Sequence, residues 1–63
     1  MINWIPLHYA AYNGHLSVVE YLYSQHADTN AKTIHGKTPL VLAIEMGKLD
    51  VVEFLKKKDK SQI

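Results

Sequence analysis

An all-α solenoid of two helix-turn-helix repeats, with an intervening β-turn or hairpin, is the architecture this sequence predicts. Three observations carry the expectation. Residues 6 to 22 recur 33 residues later as residues 39 to 55, with nine of seventeen positions identical. A period of this size marks a supersecondary unit that cannot bury its own apolar face and stacks on copies of itself. Both copies open on a proline, Pro6 and Pro39, and both carry a glycine at the matching later position, Gly14 and Gly47. Between these markers the apolar residues recur at three and four, the spacing of one helical face.

The elements follow in order. Pro6 and Pro39 suit the first turn of a helix, where a missing N–H has no intrahelical partner, and Thr38 is an N-cap for the second copy. Leu7, Ala10 and Ala11 form the inner face of the first helix, repeated as Leu40, Ala43 and Ile44, and Leu40 is expected between the two repeats. Gly14 and Gly47 stop these helices in a left-handed turn that needs no Cβ. Ser17 and Asp50 can cap the helices that follow, whose buried stripes read Val18, Val19, Leu22 and Val51, Val52, Leu55. Residues 26 to 36 are rich in turn formers, with Asp28 and Asn30 able to bind local amides and Gly36 giving freedom at the end. The chain therefore divides into repeat 1 at about residues 3–35, repeat 2 at about 36–58 and a polar tail at 59–63.

Thr38-Pro39-Leu40 and Pro6-Leu7-His8-Tyr9-Ala10-Ala11 are partial copies of a Thr-Pro-Leu-His-x-Ala signature. With Gly14-His15, Val18-Val19, Leu22, Ala27-Asp28 and Asn30-Ala31 in register, the chain resembles an ankyrin-repeat protein over roughly residues 3 to 58. The departures from the pattern are specific. The first copy has His8 but Ile5 at the threonine place, and the second has Thr38 but Val41 at the histidine place, so neither makes the hydroxyl to imidazole bond. His26 stands where the resemblance implies a left-handed glycine, at a cost on the order of 1 kcal/mol. Thr33 replaces an aspartate, which removes an acceptor and predicts a looser turn.

Composition narrows the functional classes. At 63 residues the chain can build only a marginal core. It has no cysteine for a disulfide, compatible with the intracellular, cytoplasmic setting expected here. A formal net charge of +1 argues against nucleic acid as a partner. No apolar run reaches membrane-spanning length, and Met1-Ile2-Asn3-Trp4 lacks the features of a signal peptide. Lys56-Lys57-Lys58-Asp59-Lys60 reads first as a solvated tail, with a nuclear address or phosphate patch as the sharper alternatives. Those lysines also make the last turn more polar than its counterpart in the first copy, a partial cap on the stack. Two repeats are seldom stable alone, so the chain is expected to be a fragment of a longer array or a unit completed by self-association. The expected contact surface for the latter is an apolar start at Met1, Ile2, Trp4 and Ile5.

No cofactor or metal is expected. His8 and His15 match positions that the resemblance assigns to hydrogen bonds within the stack, and His26 and His35 fall in turns. Glu20 and Glu53 are repeat equivalents on a solvated face, and no nucleophile stands with an assigned base. Tyr9 and Tyr21 are expected in interhelix or inter-repeat packing. Trp4, Tyr12 and Asn13 align with the variable outward positions that the resemblance assigns to hairpin and first helix; Lys37, Glu45 and Met46 are their second-copy partners, joined by Ile34 and His35 at the tip. Plain surface exposure is the alternative reading of these eight side chains. The resemblance implies that they bind another protein, without catalysis. Self-association through uncapped repeat faces is the alternative, and a metal-dependent or hydrolytic activity a distant third.

Overall fold

The computed structural model describes residues 3–58. Four helices follow one another: α1 (Pro6–Asn13), α2 (Leu16–Ser24), α3 (Pro39–Glu45) and α4 (Leu49–Lys58), with no strand among the described residues. α1 packs on α2 and α3 on α4 within each repeat, while α1–α3 and α2–α4 form the seam between repeats. None of these helices is long and apolar enough to cross a membrane.

Each first helix ends in the same glycine turn. His15 N–H donates to Ala10 C=O at 2.9 Å and Gly14 N–H to Ala11 C=O at 3.2 Å; Lys48 to Ala43 at 2.9 Å and Gly47 to Ile44 at 3.1 Å repeat the pattern. Gly14 and Gly47 sit at φ 72° and 68°, which only a residue without Cβ adopts at no cost. This turn also fixes where the next helix begins. The carbonyls of His15 and Lys48 already accept from Val19 and Val52 at 2.9 Å, so α2 and α4 start at Leu16 and Leu49. Ser17 consequently lies inside the first turn and caps nothing, contrary to the sequence expectation. Asp50 is also inside its first turn, where its carboxylate accepts the Val51 N–H at 2.8 Å and faces the positive end of the helix dipole.

The core is one cluster drawn from all four helices: Leu7, Ala10, Ala11, Val19, Ala43, Val51 and Leu55. The small alanines on α1 and α3 let those helices meet closely, and each fully buried valine contributes roughly 1.5–3 kcal/mol. Leu40 is only half-buried; it packs against the cluster from the edge of a groove of about 310 Å³ that it shares with Tyr23, Thr38 and Leu55. Its repeat equivalent Leu7, 1% exposed, takes the central place expected of it.

The connection between repeats is a β-turn rather than a hairpin of strands. Gly36 N–H donates to Thr33 C=O at 2.8 Å, and Thr33 N–H to Lys37 C=O at 2.9 Å. Thr33 corrects the expectation of a loosened turn: it is buried, and its hydroxyl oxygen accepts both His35 N–H and Lys37 N–H at 3.2 Å. A hydroxyl has two lone pairs, so the loss of a carboxylate leaves the acceptor in place. Upstream, Asp28 accepts the Asn30 N–H at 2.9 Å, while Asn30 contributes its backbone donor and no side-chain bond among the described residues.

His26 closes α2 at φ 66°, with its N–H on Tyr23 C=O at 3.0 Å and Ala27 N–H on Leu22 C=O at 3.0 Å. This is the glycine turn again, built around a residue with a Cβ. His26→Gly is expected to raise stability by about 0.5–1 kcal/mol, the relief of left-handed strain less the added entropy of glycine in the unfolded chain. A thermal melt higher by a few degrees would confirm it; an unchanged or lower midpoint would show that the turn is unstrained.

Candidate functional site

His8 organises the start of α1. Ile5 occupies the cap position and has no side-chain acceptor; instead its own N–H donates to His8 Nδ1 at 3.0 Å. That nitrogen is therefore unprotonated, and Nε2 carries the hydrogen it donates to the Ala31 carbonyl at 2.8 Å. The fully buried ring ties the helix start to the inter-repeat loop, as the resemblance implied. In the second copy the Thr38 hydroxyl accepts the Val41 N–H at 3.3 Å instead. His15 departs from expectation: its side chain is exposed and makes no hydrogen bond among the described residues.

Against this fixed frame the eight candidate residues sort into equivalent pairs. Trp4 and Tyr12 meet edge to face with ring centroids 5.2 Å apart. Subtracting the 33-residue period from Lys37 and Glu45 gives the same two positions, and there Lys37 Nζ lies 2.9 Å from Glu45 Oε1. One location in the repeat thus holds an aromatic pair in the first copy and an ion pair in the second. The ion pair, with side chains 39% and 45% exposed, lies in the range of about 0–1 kcal/mol typical of surface pairs. The aromatic pair is worth about 0.5–1.5 kcal/mol beyond its burial and holds a large apolar surface rigid. Asn13 and Met46, also equivalents, follow on the exposed ends of α1 and α3, and Ile34 and His35 stand exposed on the turn.

Two tyrosines lie where the sequence reading did not put them. Tyr9 is 42% exposed, and its ring packs on Trp4 at 5.1 Å; Tyr21 is 63% exposed. Their equivalents Leu42 and Phe54 face the first repeat, whereas no described element lies on the corresponding side of α1 and α2. Tyr9 thereby extends the Trp4–Tyr12 pair into a three-ring patch. The alignment of Tyr9 with Leu42, a position that faces the preceding repeat, was the available signal. Of the apolar start, Trp4 and Ile5 are half-buried, and Met1 and Ile2 lie outside the described residues. The polar tail at 59–63 lies outside them as well.

The described residues contain no group of three or more His, Asp or Glu side chains able to hold a metal ion. Lys58 sits 5.9 Å from the Tyr23 ring centroid and 5.5 Å from that of Phe54, a structural cation–π contact at the end of α4. Glu20 and Glu53 are exposed.

The family model described as ankyrin repeats (3 copies) matches residues 2–63. The chain is 42% identical over 50 residues to a probable E3 ubiquitin-protein ligase, XBOS33, of Oryza sativa subsp. japonica, covering 79% of this chain and 10% of that protein. It is 41% identical over 52 residues to the tyrosine-protein kinase HTK16 of Hydra vulgaris, covering 82% of this chain and 7% of that protein. The chain thus spans a tenth or less of either relative. The names of the two relatives describe different chemistries, and the likeness to both is confined to a segment of one repeat period and a half.

Proposed function

Because the chain belongs to the ankyrin-repeat family, whose members are generally noncatalytic protein-interaction modules, we propose that it binds another protein through the turn and first-helix face. The carrying observation is the repeat-equivalent placement of Trp4–Tyr12 and Lys37–Glu45. A rigid aromatic patch beside a self-neutralised charged pair offers an apolar anchor flanked by a polar contact, the mixture that concentrates binding energy at a few residues. Ile34 at the turn and Met46 after α3 are exposed apolar side chains, and Asn13 and His35 exposed polar ones, that this reading assigns to the same binding surface. We place this activity inside the cell, without cofactor, nucleic acid or membrane.

Alanine at Trp4, Tyr12, Ile34 and Met46 is expected to keep helicity while weakening an identified partner, by about 2 kcal/mol or more at one or two anchors. Glu20→Ala and Lys57→Ala, on the outer helices, serve as controls that should bind like the parent chain. Calorimetric affinities that are equal across the four variants would remove this face as the binding surface.

One observation favours a second reading, self-association. Val18 is 44% exposed while its equivalent Val51 is fully buried, and Ile44 is 56% exposed while its equivalent Ala11 is fully buried. The exposed apolar surface lies at both ends of the stack, on the sides that repeats use to pack on one another. Among the described residues it is made by Tyr9, Val18 and Tyr21 at one end, with half-buried Trp4 of the expected apolar start against Tyr9, and by Ile44 and Leu49 at the other.

A further inference from the structure

We infer that Asn13-Gly14 is a self-modifying site: when the seam between the two repeats opens, the Gly14 amide nitrogen attacks the Asn13 side chain, and the turn between α1 and α2 is converted irreversibly to an aspartyl or isoaspartyl form.

Two adjacent residues supply the chemistry. Gly14 has no Cβ to hinder its backbone nitrogen, which can close a five-membered ring on Asn13 Cγ. The Gly14 N–H gives up its proton to solvent, the nitrogen–Cγ bond forms, and the side-chain nitrogen leaves as ammonia, taking up a proton. Water then opens the cyclic imide at one of its two carbonyls. Cleavage at Cγ leaves aspartate at position 13; cleavage at the main-chain carbonyl leaves isoaspartate, whose main chain runs through the side-chain carbons. Water is consumed and ammonia released, so no oxidant, metal or enzyme takes part.

The folded chain holds the reacting atoms apart. Asn13 ends α1, exposed and without a side-chain hydrogen bond among the described residues, so its amide is available. The nucleophile is the restrained partner. Gly14 N–H is committed to Ala11 C=O at 3.2 Å, and the next amide, His15, to Ala10 C=O at 2.9 Å. A helical ψ of about −40° at Asn13 aims the Gly14 nitrogen along the helix instead of at Cγ, and rotating it away breaks these bonds. Repeat 2 adds a second restraint. The stem of Lys48 lies over Gly14, so close that a Cβ there would stand 2.7 Å from Lys48 Cδ. The Gly14 backbone gains room to turn when the seam opens and this stem lifts, so local opening sets the reaction rate.

Other positions in the chain supply the contrast. The equivalent pair Met46-Gly47 makes the same turn but has no amide to lose. Asn3 and Asn30 precede Trp4 and Ala31, whose side chains crowd the attacking nitrogen. Neither product suits the turn. A carboxylate at the end of α1 meets the negative end of the helix dipole, and isoaspartate inserts a main-chain atom into the ring that the His15–Ala10 bond closes.

Site-resolved mass spectrometry of the full chain, incubated at neutral pH natively and in denaturing urea, tests this. Asn13 should convert ahead of Asn3 and Asn30, at least about tenfold more slowly in the native chain than in urea, as expected when reaction tracks the open population. Asn13→Gln, whose ring closure is disfavoured, should show no conversion there. Lys48→Ala should react about threefold faster than the parent and Lys48→Met, which keeps the stem, within about twofold of it. If either loses helicity by circular dichroism, the parent in sub-denaturing urea replaces it, where conversion should accelerate before helicity falls. The converted fraction, once isolated, should melt lower than the parent. Conversion first at Asn3 or Asn30 overturns the site, and equal native and urea rates overturn the restraint by the fold. Parent-like rates in both Lys48 variants, or acceleration only with loss of helicity, overturn the role of the seam, and an unchanged melt of the converted chain overturns the damage to the turn.

Discussion

Leu7→Ala is expected to leave little folded protein at room temperature. Leu7 is 1% exposed and belongs to the single core that joins all four helices. Truncating such a leucine costs about 2–5 kcal/mol, from lost transfer energy and the cavity left behind. A chain of 63 residues has roughly 3–9 kcal/mol of total stability on a per-residue scale, and small chains lie toward the low end. Leu40→Ala supplies the control. Its side chain is half-buried beside a groove, so less area is lost, and the neighbouring groove already admits water. Its cost should fall to about 1–2 kcal/mol by the same area argument. Denaturant titrations of both variants, followed by circular dichroism, decide the matter. Equal midpoints would mean that the two leucines are equivalent in packing as well as in sequence, contrary to the asymmetry described above.

That asymmetry shows what the sequence could and could not carry. The prolines, glycines and apolar spacing of each copy encode the helices and their turn locally, so α1 to α4 and the left-handed glycines were legible residue by residue. Burial was legible only where the seam lies. Val18 and Val51 are the same residue in the same local sequence, yet one is 44% exposed and the other fully buried. What differs is the neighbour, which no window of local sequence contains. Tyr9 and Tyr21 were misplaced for this reason.

The smaller errors have a different origin. Ser17 looked like a cap because its oxygen could accept, but the glycine turn had already chosen His15 and Lys48 as the first carbonyls of the next helices. Thr33 looked like a loss because an aspartate was the reference, although a buried hydroxyl accepts two amides. At the candidate site the eight residues were legible as aligned columns. Their pairing was not, since Trp4 and Tyr12, or Lys37 and Glu45, meet between the residue before a helix cap and the last turn of that helix, eight residues on, and the direction in which the chain enters the helix decides whether they touch.

His8→Val tests that helix start and should be the second most damaging substitution here. Repeat 2 has valine at the equivalent position, Val41, so the side chain itself is compatible with the helix. In repeat 1, however, the fully buried ring accepts the Ile5 N–H at 3.0 Å and donates to the Ala31 carbonyl at 2.8 Å, both partners being half-buried. Valine leaves both groups without partners, at about 1–3 kcal/mol each where water cannot enter, so a net cost of about 2–4 kcal/mol is expected. Ile5→Thr in the same chain copies the cap of repeat 2, where Thr38 accepts the Val41 N–H, and should return about 1 kcal/mol. It cannot restore the bond to Ala31. A double-mutant cycle with Ile5→Thr alone separates the two contributions, correcting for the apolar contact Ile5 gives the core. Hydrogen exchange then locates the residual loss: amides of the inter-repeat loop should stay fast in the double variant while those of α1 recover. Full recovery of stability by the double variant would show that the His8–Ala31 bond does not hold the loop to the stack.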